Sequence, residues 1–244
     1  MFETCLVKDS KIINFSSHLE RIKTALSILK FNINFDELCQ RSNDLLKKNN
    51  LQDGLLRISI SRGVGSSGYL PKNITNNLVI IQTKDPILLP KSLNLIVSDY
   101  VAGNYSFKSL NSLPYVLAKI YAAENKYYDA IMIDKEGYIS ETSSANIFWV
   151  KKDAIFTPSD DCCLVKGTIR KKLLEIPQIK IVQGKFGCKD LEEADEVFIT
   201  NSAITLKSID KIAFRNKKNI YEIKYNKKLV KKVSKLLKMS LGLD

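Results

Sequence analysis

The 244-residue chain is long enough to bury one large core or two small ones, and its 45% hydrophobic and 26% charged residues are ordinary for a soluble globular protein. No apolar run approaches the roughly 20 residues that a bilayer-crossing helix needs, so a membrane role is set aside. The opening MFETCLVKDSK carries acidic Glu3 and Asp9 and lacks the basic-then-apolar layout of a signal peptide, so the expected location is the cytoplasm.

Five cysteines (Cys5, Cys39, Cys162, Cys163 and Cys188) are an odd number without CxxC spacing. With His18 as the single histidine, a Cys/His zinc site is not expected, and free thiols are. The vicinal pair Cys162 and Cys163 is reactive only if its surroundings lower a thiol pKa. The formal net charge of +12 favours anions in general, whether nucleic acid, membrane surface or acidic substrates. Much of it lies between Lys211 and Lys238, including Lys217-Lys218, Lys227-Lys228 and Lys231-Lys232. There Leu229, Val230, Val233, Leu236, Leu237 and Leu241 recur at helical spacing and leave the lysines mostly on the other face. This reads as a terminal amphipathic helix with a solvated basic face. A nucleic-acid site would interleave aromatic residues for stacking, and these are missing.

In chain order, ETCLVKDSKIINF predicts two short strands around a turn at Asp9-Ser10. Ser16 or Ser17 is placed to cap a helix from His18 to about Leu29, with Leu19, Ile22, Leu26 and Leu29 on one face. A second helix is expected over about 35–48, beginning near Asp36. Strands follow over 55–61, 78–83 and 93–98, with the glycine-rich RGVGSSGYLPKN between the first two. Residues 113–125 are apolar at helical spacing. Residues 130–134 and 147–150 read as strands, 171–175 as part of a short helix, and 196–200 as another strand. The mixture predicts an α+β protein of two lobes joined near residues 101–107.

Taken singly, no motif proves catalysis. On composition alone Lys108 is a solvated surface lysine, and GVGSSG lacks the Lys-Ser/Thr that would make it a P-loop. The informative feature is the order of several pieces: FETCLV at 2–7, HLERIKTAL at 18–26, KSLNSLPYVLAK at 108–119, GYISETSSANIFWVKKDAIFTP at 137–158, LVKGTIR at 164–170 and ADEVFITNSA at 194–203. In this order they resemble the fold-type IV pyridoxal-phosphate (PLP) enzymes, which include branched-chain and D-amino-acid aminotransferases and 4-amino-4-deoxychorismate lyase.

The resemblance implies a two-lobed α+β fold with pyridoxal 5'-phosphate as cofactor, and a homodimer. It implies a small N-terminal lobe over 1–100, a connection over 101–107 and a larger PLP-binding lobe over 108–244. The start at FET is shorter than is common in the family. Lys108 matches the lysine that holds the cofactor as a Schiff base; a desolvated site near other cations would favour its neutral, nucleophilic form. Glu141 matches the carboxylate facing the pyridine nitrogen, which keeps the ring protonated as an electron sink. Arg21 matches the phosphate-binding arginine. Thr168 and Ile169 match backbone donors at a helix start, and Ser202 a further phosphate donor. Arg170 is expected to support its loop, and His18 to be structural.

Within the family the likeness leans towards the lyase, through LLRISISRGVGSSGYLP, KSLNSL and SSANIFWVKKDAIFTP. The arginine and histidine with which D-amino-acid aminotransferases trap a carboxylate are replaced by Ser67 and Tyr69. The tyrosine that branched-chain enzymes carry five residues past the lysine is Leu113 here. The lyase's own glycine-loop arginine is also absent at Ser67, which leaves Arg57, Arg62 and Lys72 as candidate carboxylate partners. The lyase reading implies that Lys108 takes a proton from the amine-bearing carbon and acts as general acid as pyruvate leaves, giving 4-aminobenzoate for folate synthesis. The alternatives are a class IV aminotransferase, using the same lysine, and a non-enzymatic basic binder of nucleic acid.

Overall fold

In the computed structural model the described residues are 1–30, 32–66, 69–70, 72, 77–103, 106–215 and 220–243. They divide into two compact units, Met1–Ile87 with Phe107–Leu110, and Leu88–Ser106 with Asn111–Asp244.

The first unit opens with β1 (Phe2–Lys8), whose alternation turns Glu3, Cys5 and Val7 inward, and β2 (Lys11–Ile12). The hairpin turn sits at Asp9 and Ser10, as the sequence predicts. Both have positive φ, at 48° and 57°, the combination that matches the twist of a two-residue hairpin. Helix α1 runs Phe15–Leu29 and starts earlier than expected. Its cap is Asn14 in the left-handed region, a conformation that asparagine tolerates, and Ser17 donates its hydroxyl to Asn14 Oδ1 at 2.8 Å instead of capping the helix. Helix α2 (Phe35–Lys48) is capped by Asn34, whose Oδ1 accepts the Asp36 and Glu37 N–H groups at 3.0 and 3.1 Å. Strands β3 (Gly54–Ser61) and β4 (Leu78–Lys84) complete an antiparallel sheet in the order β2-β1-β3-β4. Cys5, Val7, Leu56, Ile58 and Ile60 on one face of this sheet pack against Ile22, Ala25 and Leu26 of α1 and Leu38 and Leu46 of α2.

Phe107 is buried in that same core, and the Phe2 N–H donates to the Lys108 carbonyl at 2.9 Å. The segment carrying Lys108 therefore groups with the N-terminal unit, whereas the sequence places it at the start of the C-terminal lobe. Residues 104 and 105 of the expected connection lie outside the described residues.

The second unit holds two five-stranded sheets. In chain order its elements are β5 (Asn94–Val101), α3 (Leu113–Glu124), β6 (Asp129–Ile133), β7 (Ile139–Thr142), β8 (Asn146–Lys151), β9 (Ala154–Pro158), α4 (Thr168–Leu174), β10 (Ile181–Gly184) and α5 (Cys188–Glu192). They continue through β11 (Glu196–Asn201), β12 (Thr205–Ser208), β13 (Lys211–Arg215), β14 (Ile220–Lys224) and α6 (Lys228–Leu241). One sheet is ordered β14-β13-β5-β6-β7 and the other β10-β9-β8-β11-β12. β5 and β6 are parallel, and α3 is the crossover that a parallel pair needs. Pro114 opens α3, where a missing N–H costs nothing. Its inward face presents Tyr115, Ala118 and Ala122 to Ile96, Ala130 and Met132. The larger residues Leu113, Val116, Leu117 and Ile120 are exposed.

Helix α6 bears out the amphipathic reading of the tail: Val230, Val233 and Leu237 are buried against Ile169 and Leu173 of α4. Glu196 receives the Leu229 and Val230 N–H groups at 2.7 and 2.9 Å, satisfying two donors that a helix start leaves open. Upstream, part of the basic segment forms the hairpin β13–β14, which the lysine pattern does not predict. Lys217 and Lys218 lie outside the described residues. No helix among the described residues is long and apolar enough to cross a membrane.

Candidate active site

In the second unit, β7 turns Glu141 inward, where it is 4% exposed. Its Oε1 accepts the Val165 N–H at 3.0 Å and the Tyr115 O–H at 3.1 Å, and its Oε2 accepts the Asn146 side-chain N–H at 3.1 Å. Asn146 also donates to the Val165 carbonyl at 2.9 Å, so one amide from β8 fixes both the carboxylate and the segment leading to α4. Burial and then the charge of Glu141 push the Tyr115 phenol up, which keeps it a donor at neutral pH.

The turn after Glu141 is built on a second carboxylate. Asp129 on β6 is fully buried; it accepts the hydroxyls of Thr142 at 2.9 Å and Ser144 at 2.6 Å, and that of Ser143. Thr142 Oγ1 in turn accepts the Ala145 N–H at 3.0 Å. The run TSSAN is thus a set of hydroxyls closing on one acid, which holds β7 and β8 in register beneath Glu141.

Thr168 and Ile169, the expected helix-start donors, are the first two residues of α4 and are buried. Thr168 Oγ1 and Ser202 Oγ lie 2.9 Å apart, so the structure brings these two candidates together. Ser202 follows β11 in a turn held by Asn201, whose Oδ1 accepts the Ala203 and Ile204 N–H groups at 2.9 and 3.0 Å. Gly167, just before α4, is required by close approach: a Cβ there would lie 2.0 Å from Asn146 Oδ1. Arg170 donates to Asp160 at 2.8 Å, the Pro158 carbonyl at 2.9 Å and Gln183 at 2.7 Å, the loop-supporting set of contacts expected for it.

In the first unit, Arg21 on α1 grips Glu3 with two parallel bonds, Nε to Oε1 at 2.7 Å and Nη2 to Oε2 at 2.6 Å. His18 Nδ1 lies 2.7 Å from Glu3 Oε2. Burial alone would raise the Glu3 carboxyl; the Arg21 charge and the bonds from His18 and Arg21 outweigh it and hold the pKa at about 2. An ionised carboxylate only accepts, so His18 donates from Nδ1. The neighbouring Cys5 thiol is pushed well up by burial and the Glu3 charge, which makes it inert rather than reactive.

Lys108 is half-buried, with its Nζ 5.5 Å from the centroid of the Phe2 ring. The Arg57 guanidinium lies 4.1 Å from the same centroid, so one aromatic ring supports an amine and a guanidinium. Of the other candidate carboxylate partners, Arg62 is half-buried and Lys72 exposed. Tyr69 is fully exposed, and Ser67 lies outside the described residues.

Sequence reasoning did not find Tyr115, Asn146, Asp129 or the partnership of Glu3 with Arg21. For Tyr115 a signal exists: it shares the Ala118 and Ala122 face of α3, and a phenol turned inward needs a polar partner. Among the described residues no cluster of His, Cys, Asp and Glu is arranged to hold a metal ion.

The amino-transferase class IV family profile matches residues 1–212. A probable branched-chain-amino-acid aminotransferase of Rickettsia conorii is 30% identical over 234 residues, covering 91% of this chain and 80% of the relative. The aminodeoxychorismate lyase of Vibrio harveyi is 28% identical over 229 residues, covering 87% of this chain and 82% of the relative. A crystal structure of a putative 4-amino-4-deoxychorismate lyase from Legionella pneumophila superposes with a TM-score of 0.88 at 25% identity, covering 98% of this chain and 90% of that one. The chain belongs to the class IV aminotransferase family and has the α+β fold of the fold-type IV enzymes.

Proposed function

We propose that the chain is a PLP-dependent 4-amino-4-deoxychorismate lyase, which eliminates pyruvate to give 4-aminobenzoate. When bound, PLP supplies a protonated pyridine ring that accepts the electrons left by proton removal from the substrate carbon. The residues fit this group. Glu141 presents an ionisable carboxylate for the ring nitrogen, held by donors from Tyr115, Asn146 and Val165. The Thr168 hydroxyl at the start of α4 and the Ser202 hydroxyl beside it suit a phosphate, as does the Arg21 guanidinium. The tight packing of Gly167 on Asn146 keeps that helix start beside the segment that donates to Glu141.

In this reading the Lys108 Nζ carries the cofactor, takes the proton from the amine-bearing carbon and returns one to the departing enolpyruvyl group. Arg57, a half-buried cation at the ring that also supports Lys108, is the partner for a substrate carboxylate. The observation that favours the lyase is Leu113, an aliphatic residue 62% exposed at the first position of α3, where branched-chain enzymes carry a tyrosine. A second reading, a class IV aminotransferase, is favoured by the 30% identity to the Rickettsia relative. The same reading makes the protein cytoplasmic and homodimeric.

The test is product analysis with PLP-loaded protein and aminodeoxychorismate. Equal release of 4-aminobenzoate and pyruvate is expected, lost about a thousandfold or more in Lys108→Ala. A PLP-bound enzyme that releases neither product, but exchanges amino groups between amino acids and 2-oxo acids, would establish the aminotransferase instead.

A further inference from the structure

Two of the donors to Glu141 are bound up with the segment before α4: the Val165 N–H is backbone, and the Asn146 amide also holds the Val165 carbonyl. Another comes from a different element. Tyr115 lies on α3, and its one proton has two acceptors, Glu141 Oε1 at 3.1 Å and the Gly103 carbonyl at 3.5 Å. The nearer acceptor is a carboxylate, so that bond dominates. We propose that Tyr115 is a positioning residue for Glu141, and that its O–H sets how strongly that carboxylate draws the proton of the cofactor's ring nitrogen. The inference rests on the reading of Glu141 as the partner of that nitrogen.

A donor to a carboxylate stabilises the ionised form and makes it a weaker base. With the phenol in place, the proton shared between carboxylate and ring stays on the ring, where it strengthens the electron sink. Without it, Glu141 competes better for that proton. Beside the Tyr115 phenol on α3 lie the Glu141 carboxylate and the Cys163 thiol from the segment between β9 and α4, and burial in this cluster keeps the phenol protonated. Tyr115 is therefore a device for tuning the cofactor through Glu141.

The readout is the pH midpoint of the visible absorption band of PLP bound to the full-length protein, alongside its dissociation constant. Removing one hydrogen bond to a charged group corresponds to about one pH unit. In Tyr115→Phe the midpoint is expected to rise by about that much, because less positive charge remains on the ring, while the dissociation constant changes less than about fivefold. Tyr115→Gln, which retains an N–H donor, is expected to fall between wild type and Tyr115→Phe, and it serves as the test if the phenylalanine variant does not fold. An unchanged midpoint in both variants, with a band that is shifted in Glu141→Gln, would overturn the role of Tyr115 and leave Glu141 standing. A band and PLP affinity unaffected by Glu141→Gln would overturn the reading of Glu141 itself, and the tuning role with it.

Discussion

Glu3 in the N-terminal unit and Glu141 in the C-terminal unit are both buried carboxylates on strands, and they are held in different ways. Glu3 is gripped by the Arg21 guanidinium through two bonds and by His18 through a third. Its charge is matched by a cation of the protein, and its pKa of about 2 records that match. The phenol, amide and backbone N–H that reach Glu141 are neutral. These donors stabilise the anion by hydrogen bonding, which suits the proposed role of a carboxylate facing a cationic ring. In the proposed function the first glutamate orients a cation and the second presents an anion.

Replacing each acid by its amide separates the two roles. Glu3→Gln leaves Arg21 buried without its counter-charge, and a loss of about 3–5 kcal/mol of unfolding free energy is expected in urea titrations. A loss below about 1 kcal/mol would remove Glu3 from the centre of this unit. The linkage has a definite sign: the folded-state pKa is depressed, so the stabilisation is complete above the ordinary carboxyl pKa of 4.5 and fades as pH falls towards about 2. The wild type should therefore lose stability along that acid limb, and Glu3→Gln should show a flatter one. Glu141→Gln is expected to cost less stability, about 1–3 kcal/mol, and to change the absorption of bound PLP instead. Equal effects of the two substitutions on both readouts would erase the distinction.

A smaller effect is expected at Gly167. In Gly167→Ala the new methyl group meets Asn146 Oδ1, so the amide has to move and loosens its bonds to Glu141 and Val165. A cost of about 1–3 kcal/mol is expected, with weakened PLP binding measured by equilibrium dialysis. Unchanged binding would show that α4 and Glu141 are not coupled through Asn146.

The fold was legible where local chemistry and burial agree. The hairpin at Asp9-Ser10 and the strands β1, β3 and β11 declare themselves through turn residues and apolar runs, and α6 through its two-faced pattern. The start of α1 was missed because Asn14 adopts a left-handed conformation that no serine rule anticipates. The short strands β7, β9, β10, β12, β13 and β14 were missed because four or five residues carry too little periodicity to register. At the site, Lys108, Arg21 and Glu141 stood out only through the ordered resemblance. Nothing local marks a lysine beside Phe2, and the Asp129 hub joins residues 13 to 15 positions apart through hydroxyls common to any polar turn.

The most direct test of the central assignment is to load the protein with PLP, reduce it with borohydride and map the labelled peptide by mass spectrometry. A phosphopyridoxyl group on Lys108 is the expected result. A label on another lysine, or none on a protein that has bound PLP, would contradict it.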